Sequence, residues 1–229
     1  MMVPWRKFFL LGLLLLAACT PAAVETQTPA PLPTPTDDGY PPPAKTATLA
    51  PPRVELSQAI SRRQVQASII GGGSEAILIT FEPDRADTIT VYVEAGTIFQ
   101  PQNEGPAPMV ARQAAEMTLR PGEDNATNAL AVPAVSLDMK KAVPAPTDPY
   151  ELGSGTLEID LRRLLSYSGL SQQPFRVQQF AAWVITNNPR QRDMQEISPG
   201  GAATPEELDQ VRSLLRSAGV SPTKYRAFQ

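Results

Sequence analysis

Residues 89–99 read ITVYVEAGTIF, and the alternation within them predicts β-structure. Ile89, Val91 and Val93 are separated by single residues, which is the period of two of a half-buried strand, because successive side chains point to opposite faces. A second short apolar run, Thr97 to Phe99, lies just after this strand. The stretch therefore predicts two short strands in succession.

The segments on both sides of this stretch repeat the strand-like pattern. Strands are predicted at Val65 to Ile70, Ala76 to Phe81, Thr88 to Val93, Thr97 to Phe99, Ala115 to Leu119 and Ala129 to Leu137. Gly71-Gly72-Gly73 separates the first two of these runs as a turn. Short strands at close spacing with Gly and Pro turns indicate an antiparallel β-sandwich. Residues 89–99, together with residues 117–123, resemble a recurrent bacterial exported β-sandwich of immunoglobulin-like type.

Helical spacing replaces the strand pattern after a Pro- and Gly-rich segment, residues 142–155, which is predicted to be a linker. Apolar faces at helical spacing predict helices within residues 157–167 and 175–187. A third helix is predicted to start at Thr204-Pro205-Glu206-Glu207, which has a capping residue, a proline at the first position and a glutamate three residues after the cap, and to stop at Gly219. A further short helix is predicted within residues 54–66. The expected fold class is α+β, with an antiparallel, immunoglobulin-like β-sandwich followed by a small helical unit.

The N-terminus has the layout of an export signal. Arg6 and Lys7 precede an apolar run that is too short to span the roughly 30 Å hydrocarbon core of a bilayer. Leu16-Ala17-Ala18-Cys19 follows the run and resembles the lipobox of bacterial lipoproteins. That resemblance implies cleavage before Cys19 and lipidation of its thiol, which would hold the chain at a membrane. A plain secretory signal, in which Cys19 is a chance small residue, is the alternative.

The chain is predicted to have four parts. Residues 1–18 are the lipoprotein signal peptide, and residues 19–52 are the lipidated cysteine followed by a disordered tether. Ten of the 33 residues from Thr20 to Pro52 are proline, which blocks both helix and sheet ladder and favours an extended chain. Residues 53–145 are the predicted β-sandwich domain, and residues 146–229 are the C-terminal helical unit.

Composition excludes several kinds of chemistry. The sequence has no histidine and one cysteine, so a Ser-His-Asp triad and His/Cys zinc sites are excluded, and lipidation of Cys19 would remove the thiol as a nucleophile. Removal of Arg6 and Lys7 with the signal peptide changes the formal charge from −3 to −5. A mildly acidic exported protein is a poor candidate for binding nucleic acid, which requires basic patches.

The segment Gln179-Phe180-Ala181-Ala182-Trp183 is the most suggestive part of the predicted folded region. It resembles the Gln-x-Ala-x-Trp helix of Gram-positive thioester adhesin domains, in which a glutamine and a distant cysteine form an internal thioester. The sequence has no second cysteine, so we expect that no thioester forms. In the alternative interpretation, Phe180 and Trp183 are aromatic residues of a core or an interface.

Two other patterns have residue types that known enzymes use for catalysis. Ser221-Pro222-Thr223-Lys224 matches the Ser-x-x-Lys pattern of serine β-lactamases and penicillin-binding proteins, but the Ser-Asp-Asn and Lys-Thr-Gly partner motifs are absent. Glu158 and Asp160 are a pair of carboxylates such as glycosidases use, but two residues apart on a helix they point to different faces. We expect no catalytic role for either pattern.

These observations predict a membrane-anchored surface or periplasmic lipoprotein whose folded part is a non-catalytic binding or interaction module. The lipidation site Cys19 is the one functional residue assigned, and no catalytic residue, metal ligand or cofactor is expected. Its partners would be the membrane, through the lipid on Cys19, and a protein or a wall polymer, but no nucleic acid. Two alternatives stay open, namely a carboxylate-dependent hydrolase of envelope polysaccharide and an accessory subunit of an envelope complex with Trp183 at the interface.

Overall fold

The computed structural model describes residues 50–83, 87–122, 128–196 and 201–229. These residues contain nine β-strands and five α-helices. All of them belong to the unit Thr48–Gln229. The predicted signal peptide, Cys19 and most of the tether lie outside the described residues. Among the described helices, none is both long and apolar enough to cross a membrane.

The strands are β1 (Arg53–Glu55), β2 (Val65–Gly71), β3 (Ala76–Pro83), β4 (Ile89–Val93), β5 (Ile98–Pro101), β6 (Met109–Ala111), β7 (Ala115–Leu119), β8 (Ala129–Ser136) and β9 (Pro149–Leu152). The helices are α1 (Leu56–Ser61), α2 (Ile159–Ser166), α3 (Phe175–Asn187), α4 (Gln191–Glu196) and α5 (Pro205–Ser217). Short 3-10 turns lie at Leu170–Gln172, Pro222–Lys224 and Arg226–Phe228.

Six strands close into a barrel in the order β2-β3-β8-β6-β5-β9, and every neighbouring pair is antiparallel. Strand β9 completes the ring, because it pairs with β2 through Ile69 and Tyr150 and with β5 through Phe99 and Leu152. The remaining strands form a separate mixed sheet in the order β1-β4-β7. In that sheet β1 is parallel to β4, and β7 is antiparallel to it.

The predicted immunoglobulin-like β-sandwich is therefore wrong, because the structure has a closed barrel with a small mixed sheet. Two strands of three and four residues, β6 and β9, account for the difference. Strand β9 lies in the segment that was predicted to be a linker, and it joins two strands that would otherwise be edges. Without β6 and β9, the remaining pairings give two open sheets, β2-β3-β8 and β1-β4-β7, and leave β5 without a partner.

The barrel and the mixed sheet share one apolar core. Alternate residues of β3 point inward and are fully buried, namely Ile77, Ile79 and Phe81. The alternating residues of β4 that predicted a strand, Ile89 among them, pack into the same cluster. Tyr150 of β9 also lies in this core.

A second apolar cluster lies between the helices and the outer face of the barrel. Val110 of β6 and Val135 of β8 point outward and pack against α3 and its neighbours. Strand β6 is consequently buried on both faces. Nine of the thirteen residues of α3 are buried, which makes it the central helix of this cluster.

Helix α5 begins and ends as its sequence predicts. The Glu207 N–H donates to Thr204 Oγ1 at 3.2 Å, and the Thr204 N–H donates to Glu207 Oε2 at 2.9 Å, so two backbone donors at the helix start are satisfied reciprocally. At the other end Gly219 has a φ of +73°, and the Val220 N–H donates to Leu215 O at 2.8 Å. This positive φ requires glycine, and the bond from Val220 completes a Schellman motif.

A buried carboxylate fixes the C-terminus to α2. Asp160 Oδ2 accepts hydrogen bonds from Lys224 Nζ and Tyr225 Oη, each at 3.0 Å. Its Oδ1 accepts from Arg163 Nη1 at 3.1 Å. Burial raises the pKa of Asp160, but the hydrogen bonds from Lys224 and Tyr225 and the nearby positive charges outweigh it, so that this pKa lies below its ordinary value.

Candidate functional site

A cavity of about 210 Å³ lies between the first half of α3 and one end of the barrel. Its walls are the β2–β3 turn, the last residue of β8, the segment 141–144 and one face of α3. The lining side chains are Ser74, Glu75, Ser136, Lys141, Ala142, Val143, Pro144, Phe175, Arg176, Gln179, Phe180 and Trp183. The segment Gln179–Trp183, which was the most suggestive in the sequence, thus supplies three of these residues.

Gln179 fixes α3 to the barrel at the base of this cavity. Its Oε1 accepts a hydrogen bond from the Ser136 N–H at 2.8 Å, and its Nε2 donates to Ser136 O at 2.8 Å. Both residues are buried. Because both ends of the amide are paired with the backbone, Gln179 is held in one orientation and its amide has a structural function.

A second amide of α3 holds the chain just beyond β8. The Met139 N–H donates to Asn187 Oδ1 at 2.9 Å, and Asn187 Nδ2 donates to Leu137 O at 3.3 Å. Ser136 Oγ accepts from the Asp138 N–H at 3.2 Å, which tightens the same turn. The segment that leads into the wall 141–144 is therefore anchored to α3 at two points.

Arg176 forms one side of the cavity and is already paired. Its Nε donates to Glu207 Oε1 at 2.6 Å, and its Nη2 donates to Glu207 Oε2 at 3.1 Å, which is a bidentate ion pair between α3 and α5. The hydrogen bond from Arg176 holds the pKa of Glu207 below its ordinary value. The guanidinium also lies 5.0 Å from the centre of the Phe180 ring. Much of its charge is thus neutralised within the protein.

Trp183 contributes an unpaired hydrogen-bond donor. The residue is 3% exposed, and its ring lies 5.9 Å from that of Phe180. The indole Nε1–H is buried and has no acceptor among the described residues. Leaving a buried donor unpaired costs about 1–3 kcal/mol, and a bound group whose acceptor oxygen reached Nε1 would remove this penalty.

The β2–β3 turn shapes the opposite wall through its glycines. A Cβ on Gly71 would overlap Ala145 O and Pro144. Only glycine at this position therefore lets the segment after residue 141 pass so close to the end of β2. Gly73 has a φ of +88°, a backbone conformation that favours glycine. The predicted turn is thus present, and it places Ser74 and Glu75 at the cavity.

The rim of the cavity combines an exposed apolar side chain with two charges. Val143 is 42% exposed, although most large apolar residues of the described chain are buried. Lys141 and Glu75 are exposed and carry opposite charges, and neither forms an ion pair with the described residues. The arrangement is an apolar cavity with a few polar groups, which is the usual composition of a ligand site.

The thioester resemblance can be compared with this geometry. The residue whose backbone holds the Gln179 amide is Ser136, and its hydroxyl is bonded to the backbone of Asp138. Cys19, the only cysteine of the sequence, lies outside the described residues. Among the described residues, the site therefore has the glutamine and the tryptophan of the resemblance and no cysteine.

The other sequence patterns lie away from the cavity. Lys224 of the Ser-x-x-Lys pattern donates to Asp160, while Ser221 Oγ lies 3.0 Å from Thr223 Oγ1. Asp160 is buried in the contact between α2 and the C-terminus, and Glu158 is exposed at the start of α2. In the described ranges, no group of three or more His, Cys, Asp or Glu residues could hold a metal ion.

Comparisons with known proteins add no assignment, because no family model, no characterised protein and no solved structure matches the chain. Sequence reasoning identified Gln179, Phe180 and Trp183 but missed Ser136 and the whole wall 141–144. Ser136 was read as part of an ordinary strand, and most of that wall fell in the predicted linker. No local signal in the sequence distinguishes these residues, since only the fold brings them to α3.

Proposed function

We propose that this chain is a lipid-anchored, non-catalytic binding protein whose ligand site is the cavity beside α3. The observation that carries the proposal is a cavity with an apolar lining whose wall includes Trp183, a residue with a buried indole N–H that has no acceptor among the described residues. A cavity of 150 Å³ is large enough for benzene, so about 210 Å³ accommodates one ring or a short aliphatic group with a polar end. The ligand class that fits is a small apolar body with an acceptor oxygen.

The charges at the cavity support binding without catalysis. Glu75 is the single carboxylate among its lining residues, and it lies exposed at the rim. A glycosidase needs two carboxylates that face each other across the bond to be cleaved. Arg176 is neutralised by Glu207, so it is a poor candidate for stabilising a developing negative charge.

The burial of Trp183 also bears on where a macromolecular partner would make contact. Because its ring is inside the helical cluster, we propose that such a partner inserts a side chain at the exposed rim beside Val143 instead of contacting the tryptophan from outside. The anchor at Cys19 and the proline-rich tether would present this rim at a distance from the membrane.

The binding proposal is tested by fluorescence titration of the full-length chain in detergent. The sequence has two tryptophans, and Trp5 lies in the predicted signal peptide, so the processed chain has Trp183 as its sole indole reporter. Phenylacetamide, which has a ring and an acceptor oxygen, is expected to change the Trp183 emission saturably. Ethylbenzene, which has no acceptor, is expected to bind about tenfold more weakly, because it leaves the indole N–H unpaired.

Two matched variants locate the binding. Val143 and Ile159 are the exposed large apolar residues of the described chain, at 42% and 56% exposure, and only Val143 lines the cavity. Val143→Asp is expected to weaken phenylacetamide binding several-fold, whereas Ile159→Asp leaves it unchanged. A titration without any saturable change, or an equal loss in the two variants, would contradict the proposed site.

A further inference from the structure

A second, separate cleft lies on the other side of Phe175, and it contains an arginine without a carboxylate partner. The cleft has a volume of about 380 Å³ and is open to solvent. It lies between the residues that follow β6, a turn after β4, and the connection from α2 to α3. Its lining residues are Ala95, Arg112, Gln113, Ala114, Leu165, Ser166, Tyr167, Ser168, Leu170 and Ser171.

The bonding of Arg112 is incomplete. Its Nη1 donates to the neutral acceptor Gln178 Oε1 at 2.9 Å, and its guanidinium lies 5.6 Å from the centre of the Phe175 ring. Its Nε is buried without an acceptor, and Nη2 has none among the described residues. Arginine has five N–H donors, so most of its donors here are unused.

Burial makes this incomplete bonding costly. Arg112 is half-buried, and burial lowers its pKa, with the charge of Glu75 offsetting only part of that effect. Glu75 and Arg112 do not form an ion pair, since no such contact lies within 4 Å. A desolvated cation is stable when an anion and hydrogen-bond acceptors complete its surroundings.

The remaining lining of the cleft offers donors and no negative charge. Ser168 and Ser171 are exposed, and their hydroxyls have no partner among the described residues. Gln113 adds a side-chain amide that is also unengaged. Since no aspartate or glutamate lines the cleft, nothing in its lining repels an anion.

We propose that this cleft binds a small oxyanion, with Arg112 as the charged donor and the hydroxyls of Ser168 and Ser171 as neutral donors. Carboxylate and phosphate groups share the chemistry that these residues recognise, because arginine matches the geometry of both. The cleft and the cavity beside Trp183 share no lining residue, although Phe175 of the cavity wall lies 5.6 Å from the Arg112 guanidinium.

The test uses the full-length chain in detergent, with inorganic phosphate and succinate as probes and sodium chloride at matched ionic strength as the reference. Either probe is expected to raise Tm saturably and to shift the Nε–H resonance of Arg112 in NMR spectra, and the larger effect identifies the preferred anion. If neither probe has a larger effect than chloride, the proposal is overturned.

Two variants that each remove one positive charge test whether Arg112 binds the anion. Arg112→Gln is expected to weaken anion binding about tenfold or more, the loss typical of a charge-assisted hydrogen bond. Arg162→Gln removes an exposed arginine of α2 that does not line this cleft, and it should bind the probes as wild type does. Undiminished binding in Arg112→Gln would overturn the assignment.

A third variant covers the case in which Arg112→Gln fails to fold. Ser168→Ala/Ser171→Ala changes two exposed hydroxyls, so the fold is retained while two of the proposed donors are removed. We expect anion binding to weaken several-fold with the Tm in chloride unchanged. Wild-type affinity in this double variant would contradict the proposed donor set.

Discussion

The side-chain amide of Gln179 and the backbone of Ser136 exchange two hydrogen bonds, as paired residues of antiparallel strands do. Strand β3 ends its contact with β8 at Ala134, whose N–H donates to Glu75 O at 2.8 Å. Ser136 is two residues further along, so its backbone groups face the same side of β8. The glutamine therefore extends the ladder beyond the point where β3 stops.

Removal of this amide should destabilise the fold. Gln179→Ala leaves the buried N–H and C=O of Ser136 without partners, and we expect the free energy of unfolding to fall by about 2–4 kcal/mol. Chemical denaturation measures the change. Gln172→Ala, at an exposed glutamine whose side chain is unbonded, is the control and should cost close to nothing. Equal stability of the two variants would show that the Ser136 contact contributes nothing.

The Asp160 cluster predicts a dependence of stability on acid. Because the folded-state pKa of Asp160 lies below its ordinary value of 3.8, its contribution is fully present above that value and is lost as pH falls through the lowered pKa. We expect Asp160→Asn to lower the free energy of unfolding at pH 7 by about 1–2 kcal/mol. The expected loss is modest because the side chains of Lys224 and Arg163, which pair with Asp160, are 56% and 49% exposed.

Denaturation curves between pH 7 and about pH 2 check this expectation. The loss of stability below about pH 4 should be shallower in Asp160→Asn than in wild type, with Glu207 responsible for part of the remainder. Asp209→Asn is the control, because that carboxylate is 72% exposed in its pair with Arg212. Parallel pH profiles for wild type and Asp160→Asn would refute the role of this carboxylate.

The close crossing at Gly71 predicts a steric penalty. Gly71→Ala places a Cβ against Ala145 O and Pro144, and we expect a loss of about 1–3 kcal/mol in the free energy of unfolding, because backbone must shift to accommodate it. Phenylacetamide binding should weaken as well, since Pro144 lines the cavity. Ser154→Ala, at an exposed residue that does not line the cavity, should leave both measurements unchanged. Wild-type stability of Gly71→Ala would mean that the 144–145 segment moves freely.

Lipidation predicts the location of the protein. Cys19→Ser removes the thiol that the lipobox resemblance assigns to acylation, so we expect the protein to leave the membrane fraction while its thermal unfolding stays that of wild type. Fractionation of cells followed by immunodetection measures this. Thr20→Ser, a conservative change at the next residue, should remain with the membranes. A membrane-bound Cys19→Ser protein would exclude the lipid as the anchor.

The elements that the sequence predicts are those with a strong local signal. Helix α5 carries its capping box and its terminal glycine in the sequence, and β4 carries its alternation. Strands β6 and β9 have three and four residues, which is too short for a period to be recognised, and β9 begins with a proline. Their strand conformation depends on neighbours far along the chain, so closure of the barrel was not predictable from local pattern.

The same distinction explains what was predictable at the cavity. Gln179, Phe180 and Trp183 occupy one helix and form a recognisable local pattern, so sequence reasoning selected them. Ser136 lies opposite Gln179 only because β8 passes beside α3. Arg112 is one of many arginines in the sequence, and its unpaired state is a property of the fold and not of its neighbours in the chain.

Closure of the barrel by β9 also has a kinetic consequence. The pairing of Ile69 with Tyr150 joins a strand near the start of the folded part to one just past its middle, and such distant contacts slow folding. A chain that is still being synthesised and ends before Pro149 leaves β2 and β5 with open edges that invite pairing with other chains. The barrel therefore cannot close until residues 149–152 have been synthesised, and the pairing of β2 and β5 stays incomplete until then.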